Sequence, residues 1–451
     1  MDRQHEVKTN MLEGPLGKQM MLFAVPIALT QILQQLFNAA DLAVVGRFVG
    51  TNAMAAVGAN NSVVSIMVSL FFGISVGANV VIAHLIGAGR KEEAGRAAGS
   101  SIIMALLFGL LMLVIGELLA DWILSAMGVP AEVMDMAVLY LRVYLIGMPV
   151  ILLYNFESAI FRAVGDTRTP LMSLTIAGVI NVGLNVFFVV VIGMTVDGVA
   201  WATVISNAIS SSIMFIKLLK DPDFRLREEL KKGIQKTAAS GTLRIGLPAG
   251  LQGTVFAISN IIIQTAINSL GADIMAASSA AFNIEIVAYF IMNCFGQTCV
   301  TYIGQNHGAG NEKRCRDIMR VGMIQDLAVT ACADIILLLF GHQLLAVFNT
   351  DPVVISYGYT RLMYLLIPGV LDAVMEVVSG VLRGYGRSLG PALIAVFGIC
   401  GVRIFWVFFI FPKYHTFNAL LLTFGVSWAV TAAAMLTAYA VFIRRQQAGR
   451  A

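Results

Sequence analysis

Twelve long apolar stretches, separated by short polar or glycine-rich segments, account for most of this 451-residue sequence. About 20 apolar residues are enough to cross the hydrocarbon core of a bilayer as a helix. Only 12% of the residues are charged, against about 25% in soluble proteins. We therefore predict an all-α polytopic membrane protein, and a soluble enzyme or nucleic-acid-binding protein is excluded. The predicted spans are 19–41, 54–79, 97–120, 134–157, 169–193, 196–218, 242–269, 278–301, 318–341, 355–380, 390–411 and 418–443.

Basic residues are concentrated in alternate connections between these spans. They include Lys8, Lys18, Arg90, Lys91, Arg162, Arg168, Lys313, Arg314, Arg383, Arg387, Arg444 and Arg450. The intervening loops have almost none, with Arg47 and Lys413 as the main exceptions. Because cytoplasmic loops carry an excess of Lys and Arg, the pattern predicts a multi-pass protein of the cytoplasmic (inner) membrane with both termini in the cytoplasm. The polar N-terminal segment predicts no cleavable signal peptide.

The two halves of the chain repeat each other with an offset near 220 residues. The matching pairs are Pro26 with Pro248, Met54 with Met275, Arg142 with Arg361, and Pro149 with Pro368. Parallel repeats of this kind place a transport path at the interface between the repeats, although duplication retained for folding alone is the alternative. We predict an N-lobe at 1–218, a cytoplasmic connector at 219–241 and a C-lobe at 242–451, each lobe a six-helix bundle.

Several motifs together resemble the multidrug and toxic compound extrusion (MATE) family. They are PIALTQILQQLFNAADLAVVG, VGANVVIAHLIGAG and FRAVGDTRTP in the first half, with IGQNHGAG and VLRGYGRSLGP as their counterparts in the second. The likeness extends over roughly 19–443. It implies a V-shaped exporter that exchanges Na⁺ or H⁺ for organic cations, drugs and other amphipathic compounds, with no cofactor besides that coupling ion.

A polar stripe in the first span leads to Asp41. Gln34, Asn38 and Asp41 are spaced so that they share one helix face. A charge at the centre of a span costs about 2.5–3.5 kcal/mol, so Asp41 either has a function or marks the outer interface. The resemblance implies that Asp41 is the cation-coupling aspartate, a candidate ligand for Na⁺, and that Asn181 and Asn185 face it. Several family members have an aspartate where this chain has Asn185, which cannot titrate.

Two further residues are associated with this predicted site. Tyr140 is expected to hydrogen-bond to the cluster or to be an interfacial aromatic residue. Pro26 removes a backbone hydrogen bond and can bend its helix. The resemblance implies that this helix bends as the occupancy of the site changes, and a static kink is the alternative.

Deep charges also occur in the second half. Asp372 and Glu376 are four residues apart and share a helix face. The resemblance places Asp372 at a cation-binding position of the C-lobe, whereas Phe256 stands where some members have glutamate. Glu285 and Arg403 are the other deep charges identified. We expect Arg403 to pair with Asp372 or Glu376 and Glu285 to face a substrate cavity, with a purely structural ion-pair network as the alternative.

The remaining motifs favour transport over catalysis. No nucleotide-binding P-loop or hydrolase motif occurs. Five cysteines without a C-x-x-C pair indicate neither a disulfide framework nor a zinc site. Glu157 is expected to pair with Arg162. The predicted partners are a small-molecule substrate and the lipid bilayer, not nucleic acid or an obligate protein. The alternatives are a lipid-linked oligosaccharide flippase, which would need a strongly cationic cavity, and a membrane-embedded enzyme.

Overall fold

The structure is a computed structural model that describes residues 10–448. This part of the chain forms helices and contains no β-strand. Lys8 and Arg450, which contribute to the predicted orientation, lie outside the described residues. The prediction of an all-α fold is confirmed.

The described helices cover nearly all of the predicted spans. They are α1 Leu16–Phe48, α2 Thr51–Gly87, α3 Lys91–Ala126, α4 Ala131–Ile146, α5 Met148–Ala163, α6 Arg168–Val186, α7 Val196–Lys220, α8 Leu226–Lys232, α9 Lys236–Asn268, α10 Ala272–Gly308, α11 Glu312–Leu339, α12 Gly341–Phe348, α13 Pro352–Leu366, α14 Gly369–Gly384, α15 Leu389–Ala395, α16 Val402–Phe405, α17 Phe411–Tyr414 and α18 Phe417–Ala448. Three π-helical turns, Phe187–Ile192, Val396–Gly401 and Trp406–Ile410, extend α6 and join α15, α16 and α17. Between residues 10 and 448, 10 helical segments are long and apolar enough to cross a membrane, or up to 12 spans if each of two bent helix pairs counts as one.

Two of the predicted spans are bent pairs of helices. α4 and α5 meet at an angle of 50°, and α13 and α14 meet at 43°. Pro149 and Pro368 lie at these breaks, where the missing N–H and the pyrrolidine ring prevent a regular helix from continuing. The predictions of one continuous helix at 134–157 and at 355–380 are corrected accordingly.

The chain divides into two compact units. The first consists mainly of Leu29–Gly250, and the second of Glu13–Ala28 with the described residues after Gly250. Both boundaries therefore fall just after the repeat-related prolines Pro26 and Pro248. The lobe boundaries inferred from the sequence remain predictions.

The connector between the halves is attached to the first unit. α8 lies within it, and Phe224 and Leu226 are buried in a core shared with α3. Glu229 is also buried, and its carboxylate accepts a hydrogen bond from Lys232 Nζ at 2.7 Å. The connector is therefore a docked segment rather than a fully solvated one.

Glycines allow α2 and the start of α9 to come into backbone contact within the first unit. A β-carbon on Gly73 would overlap the backbone of Gly250. We expect Gly73→Ala to destabilise the protein by about 1–3 kcal/mol, the usual cost of overpacking, although alanine favours helix formation. The measurement is the thermal unfolding midpoint in detergent.

The matched control is Gly58→Ala, on the same helix, where a β-carbon would meet no atom within 4 Å. This variant is expected to be neutral or slightly stabilising. Equal midpoints for the two variants would contradict the close approach of α2 and α9.

Candidate functional site

The Asp41 carboxylate is buried in the first unit beside α6. Asp41 is 6% exposed, and Asn185 Nδ2 donates a hydrogen bond to Asp41 Oδ1 at 2.5 Å. Asn185 Nδ2 also donates to Asn181 Oδ1 at 3.2 Å. Because Asn181 and Asn185 are one helical turn apart, both amides point toward the same side of α6. The structure thus brings together the three residues that the sequence places at this site.

Two hydroxyl groups from α7 complete the cluster. Thr203 Oγ1 donates to Asp41 Oδ2 at 3.0 Å, and Asn181 Nδ2 donates to Ser206 Oγ at 3.4 Å. Neither residue is among those predicted from the sequence, because the prediction is based on charged and amide side chains inside the spans. The available signal is the spacing of Thr203, Ser206 and Ser210 along one face of a largely apolar helix. We refer to Asp41, Asn181, Asn185, Thr203 and Ser206 as the Asp41 cluster.

The Asp41 cluster contains one carboxylate and no basic side chain. Between residues 10 and 448, Asp41 makes no ion pair, and the buried Asn185 Oδ1 has no hydrogen-bond partner. Removing an ionised carboxylate from water costs several kcal/mol unless its charge is compensated. A proton or a monovalent cation would supply that compensation, and the amide and hydroxyl oxygens offer further ligands. The cluster is therefore suited to exchanging a small cation.

The hydroxyl of Thr203 stabilises the unloaded, anionic form of Asp41. Replacing it by valine leaves one buried carboxylate oxygen without a donor, which costs about 1–3 kcal/mol. We expect Thr203→Val to retain a bound proton more tightly, by roughly fivefold to 150-fold. The measurement is the midpoint of proton uptake.

Thr175→Val is the matched control for that change. Thr175 is exposed on α6, and its hydroxyl donates only to Leu171 O in its own helix at 2.8 Å. It is expected to leave cation binding unchanged. Weaker retention in Thr203→Val would contradict the assigned role of the hydroxyl.

The other residues predicted for this site make no hydrogen bond to Asp41 in the described part of the chain. Tyr140 is buried and stacks with Tyr144 at 6.2 Å between ring centroids, and both rings lie within electrostatic range of Asp41. Gln34 is half-buried and Asn38 is exposed. Pro26 lies inside α1, which continues as a helix on either side of it.

In the second unit, Glu285 forms an ion pair that the sequence analysis does not predict. Arg361 donates through Nη2 to Glu285 Oε1 at 2.5 Å and through Nε to Oε2 at 3.1 Å. Both side chains are nearly buried, so the pair is a two-point contact in a region of low polarity. Arg361 lies opposite Glu285 because α10 packs against α13, and a cavity-facing role for Glu285 stays a prediction.

The expected ion pair of Arg403 is also absent from the described residues. Arg403 donates to Ser427 Oγ and Asn260 Oδ1, each at 3.4 Å. Its guanidinium lies over the ring of Phe424, 4.4 Å from the centroid. Asp372 is within electrostatic range but not in contact. The aromatic face stabilises the buried cation in place of a carboxylate.

Asp372 is buried on α14, and Glu376, on the same helix face, is half-buried. Glu376 Oε2 accepts a hydrogen bond from Asn293 Nδ2 at 3.3 Å. α11 carries two further deep acids, Asp326 and Asp334, which are both buried and are not among the residues predicted from the sequence. Thr330 Oγ1 donates to Asp326 Oδ1 at 3.0 Å, and Asp334 lies against Gly369 at the start of α14. The sequence does indicate them, because two acids occur inside the single predicted span 318–341.

Glu157 on α5 does not pair with Arg162. Its carboxylate is fully buried and accepts one hydrogen bond, from Ser211 Oγ at 2.8 Å. Glu157 and Arg162 are five residues apart, so their side chains leave α5 in different directions. This expectation is therefore wrong.

Comparison with known proteins agrees with the fold. The chain is 27% identical over 398 residues to the probable multidrug resistance protein YoeA of Bacillus subtilis, covering 86% of this chain and 85% of that protein. It is 27% identical over 412 residues to the probable multidrug resistance protein NorM of Thermotoga maritima, covering 89% and 87%. A solved MOP superfamily transporter from Pyrococcus furiosus is 23% identical, with a TM-score of 0.87 and coverage of 94% and 96%.

Duplicated sets of membrane-spanning helices that enclose buried polar clusters define a polytopic membrane transport protein. The sequence profile of the MatE family matches residues 26–187 and again 248–409, so the two copies begin at the repeat-related prolines. The chain belongs to the MatE family. Because this is a family of transporters, the prediction that the chain is not an enzyme is confirmed.

Proposed function

We propose that this protein is a cation-coupled antiporter that exports organic cations, drugs and other amphipathic compounds by alternating access. Na⁺ or H⁺ would be the coupling ion, and the Asp41 cluster would bind it. The single observation that carries this proposal is the buried Asp41 carboxylate, held by Asn185 and Thr203 with no basic partner among the described residues. A charge kept in that position without compensation has a high cost, and reversible cation binding gives it a function.

Coupling follows from differential binding to two states. In the outward-facing state, Asp41 takes up the coupling ion while the exported compound leaves. In the inward-facing state, the ion is released and the next compound binds. Each ligand can shift the equilibrium between the two states only by its difference in affinity for them, and the effect of one ligand on the other is reciprocal.

The available driving force is sufficient for modest export. One elementary charge moving down about 100 mV releases roughly 2.3 kcal/mol. That energy corresponds to about 1.6 decades of concentration, at about 1.4 kcal/mol per decade. A second coupling ion would extend the gradient that the transporter can maintain.

Drug-like substrates are favoured over lipid-linked oligosaccharides by the state of the deep arginines. Arg361 is neutralised by Glu285, and Arg403 is engaged by Ser427, Asn260 and Phe424. Of these two, only Arg403 keeps an uncompensated positive charge, and a single guanidinium falls short of the strongly cationic cavity that binding a pyrophosphate would need. The relatives YoeA and NorM are named as probable multidrug resistance proteins. In the Pyrococcus furiosus transporter a reversed polarity of the binding pocket suggests a different function, so the fold by itself does not decide the substrate.

The protein is a multi-pass membrane protein. We place it in the cytoplasmic membrane with both termini in the cytoplasm, on the basis of the alternating basic loops. In this orientation the Arg168 end of α6 and the Lys220 end of α7 face the cytoplasm, and export proceeds away from them.

The test is a flux assay with purified protein in liposomes. An ethidium-like cation is loaded, and either a Na⁺ gradient or a pH gradient is imposed. We expect one of these gradients to accelerate movement of the dye against its own concentration difference, and the effective gradient identifies the coupling ion. Flux that responds to neither gradient, or flipping of a lipid-linked oligosaccharide in the same vesicles, would contradict antiport of drugs.

A further inference from the structure

A second carboxyl group of the first unit has no role in the mechanism above. Glu157 on α5 is 0% exposed and makes no ion pair with any described residue. Ser211 Oγ donates to its Oε2 at 2.8 Å, while Oε1 is buried and has no hydrogen-bond partner between residues 10 and 448. Tyr154, one turn earlier on α5, lies within electrostatic range, and in the described part of the chain no charged group reaches Glu157 from the helices packed against α5.

A line of buried polar side chains leads from the Asp41 cluster toward Glu157. On α6, polar residues recur at four-residue intervals, with one alanine among them: Thr169, Ser173, Ala177, Asn181 and Asn185, all buried. On α7, Ser206 accepts from Asn181, and one turn later Ser210 donates to Ser173 Oγ at 3.2 Å. Ser210 and Ser211 are consecutive, so the hydroxyl that bonds Glu157 adjoins this line. We refer to this α6–α7 line as the hydroxyl seam.

The hydroxyl seam reaches the surface at its other end. Thr169 Oγ1 donates to Asp166 Oδ2 at 2.5 Å, and Lys217 Nζ lies 3.2 Å from the same carboxylate oxygen. Lys217 is 42% exposed, whereas Asp166 is nearly buried. Ser206 and Ser210 on α7 are one turn apart, about 6 Å along the helix axis, and the same rise separates Ser173 from Thr169 on α6. Buried polar side chains thus extend from Asp41 to an ion pair at the solvent-exposed end of α7.

The surroundings of Glu157 suit a proton better than a metal ion. A buried carboxylate without a countercharge is costly, and the neutral acid avoids that cost. Oxygen-coordinated metal ions need several ligands, whereas Glu157 has one hydroxyl beside it. Loading adds H⁺ to one carboxylate oxygen and neutralises the group. Unloading passes H⁺ through the hydroxyls of the seam to the carboxylate of Asp41 or Asp166, and leaves an anion that Ser211 hydrogen-bonds.

We propose that Glu157 is a second proton-binding site of the first unit, and that the hydroxyl seam connects it both to Asp41 and to the Asp166–Lys217 end. Proton exchange with Asp41 rests on the proposed antiport. Proton binding by Glu157 itself does not, because it follows from burial and the absence of a countercharge. The two parts of the proposal can therefore be tested separately.

The first experiment is infrared spectroscopy of the full-length purified protein at neutral pH, in H₂O and D₂O. A protonated carboxyl gives a carbonyl band that shifts on deuteration. We expect Glu157→Gln to lose one such band. Glu132→Gln, which removes an exposed acid at the start of α4, is the control and should lose none. Identical spectra for wild type and Glu157→Gln would overturn the proposal whatever the transport assay shows.

Ser211→Ala provides a second, independent measurement if Glu157→Gln does not fold. Removing this hydroxyl should move the Glu157 band to the frequency of an unbonded carboxylic acid, and an unmoved band would count against the assignment. For the seam, a pH jump should release one proton fewer from Glu157→Gln than from wild type. Unchanged proton release would contradict proton binding by Glu157, whereas release at the wild-type rate from Ser210→Ala would contradict exchange along the seam. These readouts use no substrate gradient, so they remain interpretable even if antiport is not observed.

Discussion

Asp41→Asn is expected to reduce gradient-driven efflux to the level of protein-free liposomes. Asparagine is nearly isosteric with aspartate, so the packing of α1 beside α6 should be preserved. Its amide cannot take up a proton at working pH, and it has no charge with which to hold Na⁺. The measurement is efflux of an ethidium-like cation from proteoliposomes under the gradient that drives the wild type.

Two controls make the Asp41 result interpretable. Glu132→Gln removes an exposed carboxyl from the same unit and should transport like the wild type. Gel filtration and equilibrium dye binding should show that Asp41→Asn is folded and still binds substrate. Wild-type efflux in a folded Asp41→Asn protein would remove Asp41 from the coupling mechanism.

The largest stability effect is expected at the buried pair of the second unit. Arg361→Met leaves Glu285 as an uncompensated charge in a site where its side chain is only 12% exposed. Breaking such a pair on one side typically costs about 3–5 kcal/mol. We therefore expect a large drop in the free energy of unfolding, measured by denaturant titration in mixed micelles.

The repeat supplies the matched control for Arg361. Arg142 occupies the related position in the first unit, where its side chain is 48% exposed and pairs with Asp121 at 2.7 Å. Because exposed pairs contribute about 0–1 kcal/mol, Arg142→Met should have little effect. Adding Glu285→Leu to Arg361→Met should recover most of the lost stability, since replacing both partners by apolar groups is often neutral. Equal losses for Arg142→Met and Arg361→Met would contradict this account.

The Asp41 cluster shows which residues of a site can be predicted from their spacing in the sequence. Asn181 and Asn185 are one helical turn apart, so their common direction follows from helix geometry alone. Asp41 stands out because a carboxylate inside an apolar span is costly. The resemblance to a known family then implies that Asn181 and Asn185 face Asp41. Thr203 could not be selected in the same way, because serine and threonine satisfy themselves on their own helix backbone in many positions, as Thr203 also does with Val199 O.

The ionic partners in the second unit show where local spacing fails. Glu285 and Arg361 are 76 residues apart, and Arg403 meets Ser427 and Phe424 from α18. Which side chains meet depends on how each helix is rotated about its axis. A rotation of one residue, 100°, changes every partner without altering the hydrophobicity of the span. For this reason local spacing predicts the wrong partner for Arg403 and no partner for Glu285.

The order and approximate extent of the spans, the internal duplication and the polar stripes on single helices follow from the sequence, because each depends on hydrophobicity and periodicity within a short segment. The tertiary structure decided which buried charges are paired, as in Glu285 with Arg361. It also decided which ones have no countercharge among the described residues, as in Asp41 and Glu157. Those outcomes depend on contacts between helices distant in the chain, where desolvation sets a cost for each charge and only packing determines whether a partner is present to offset it.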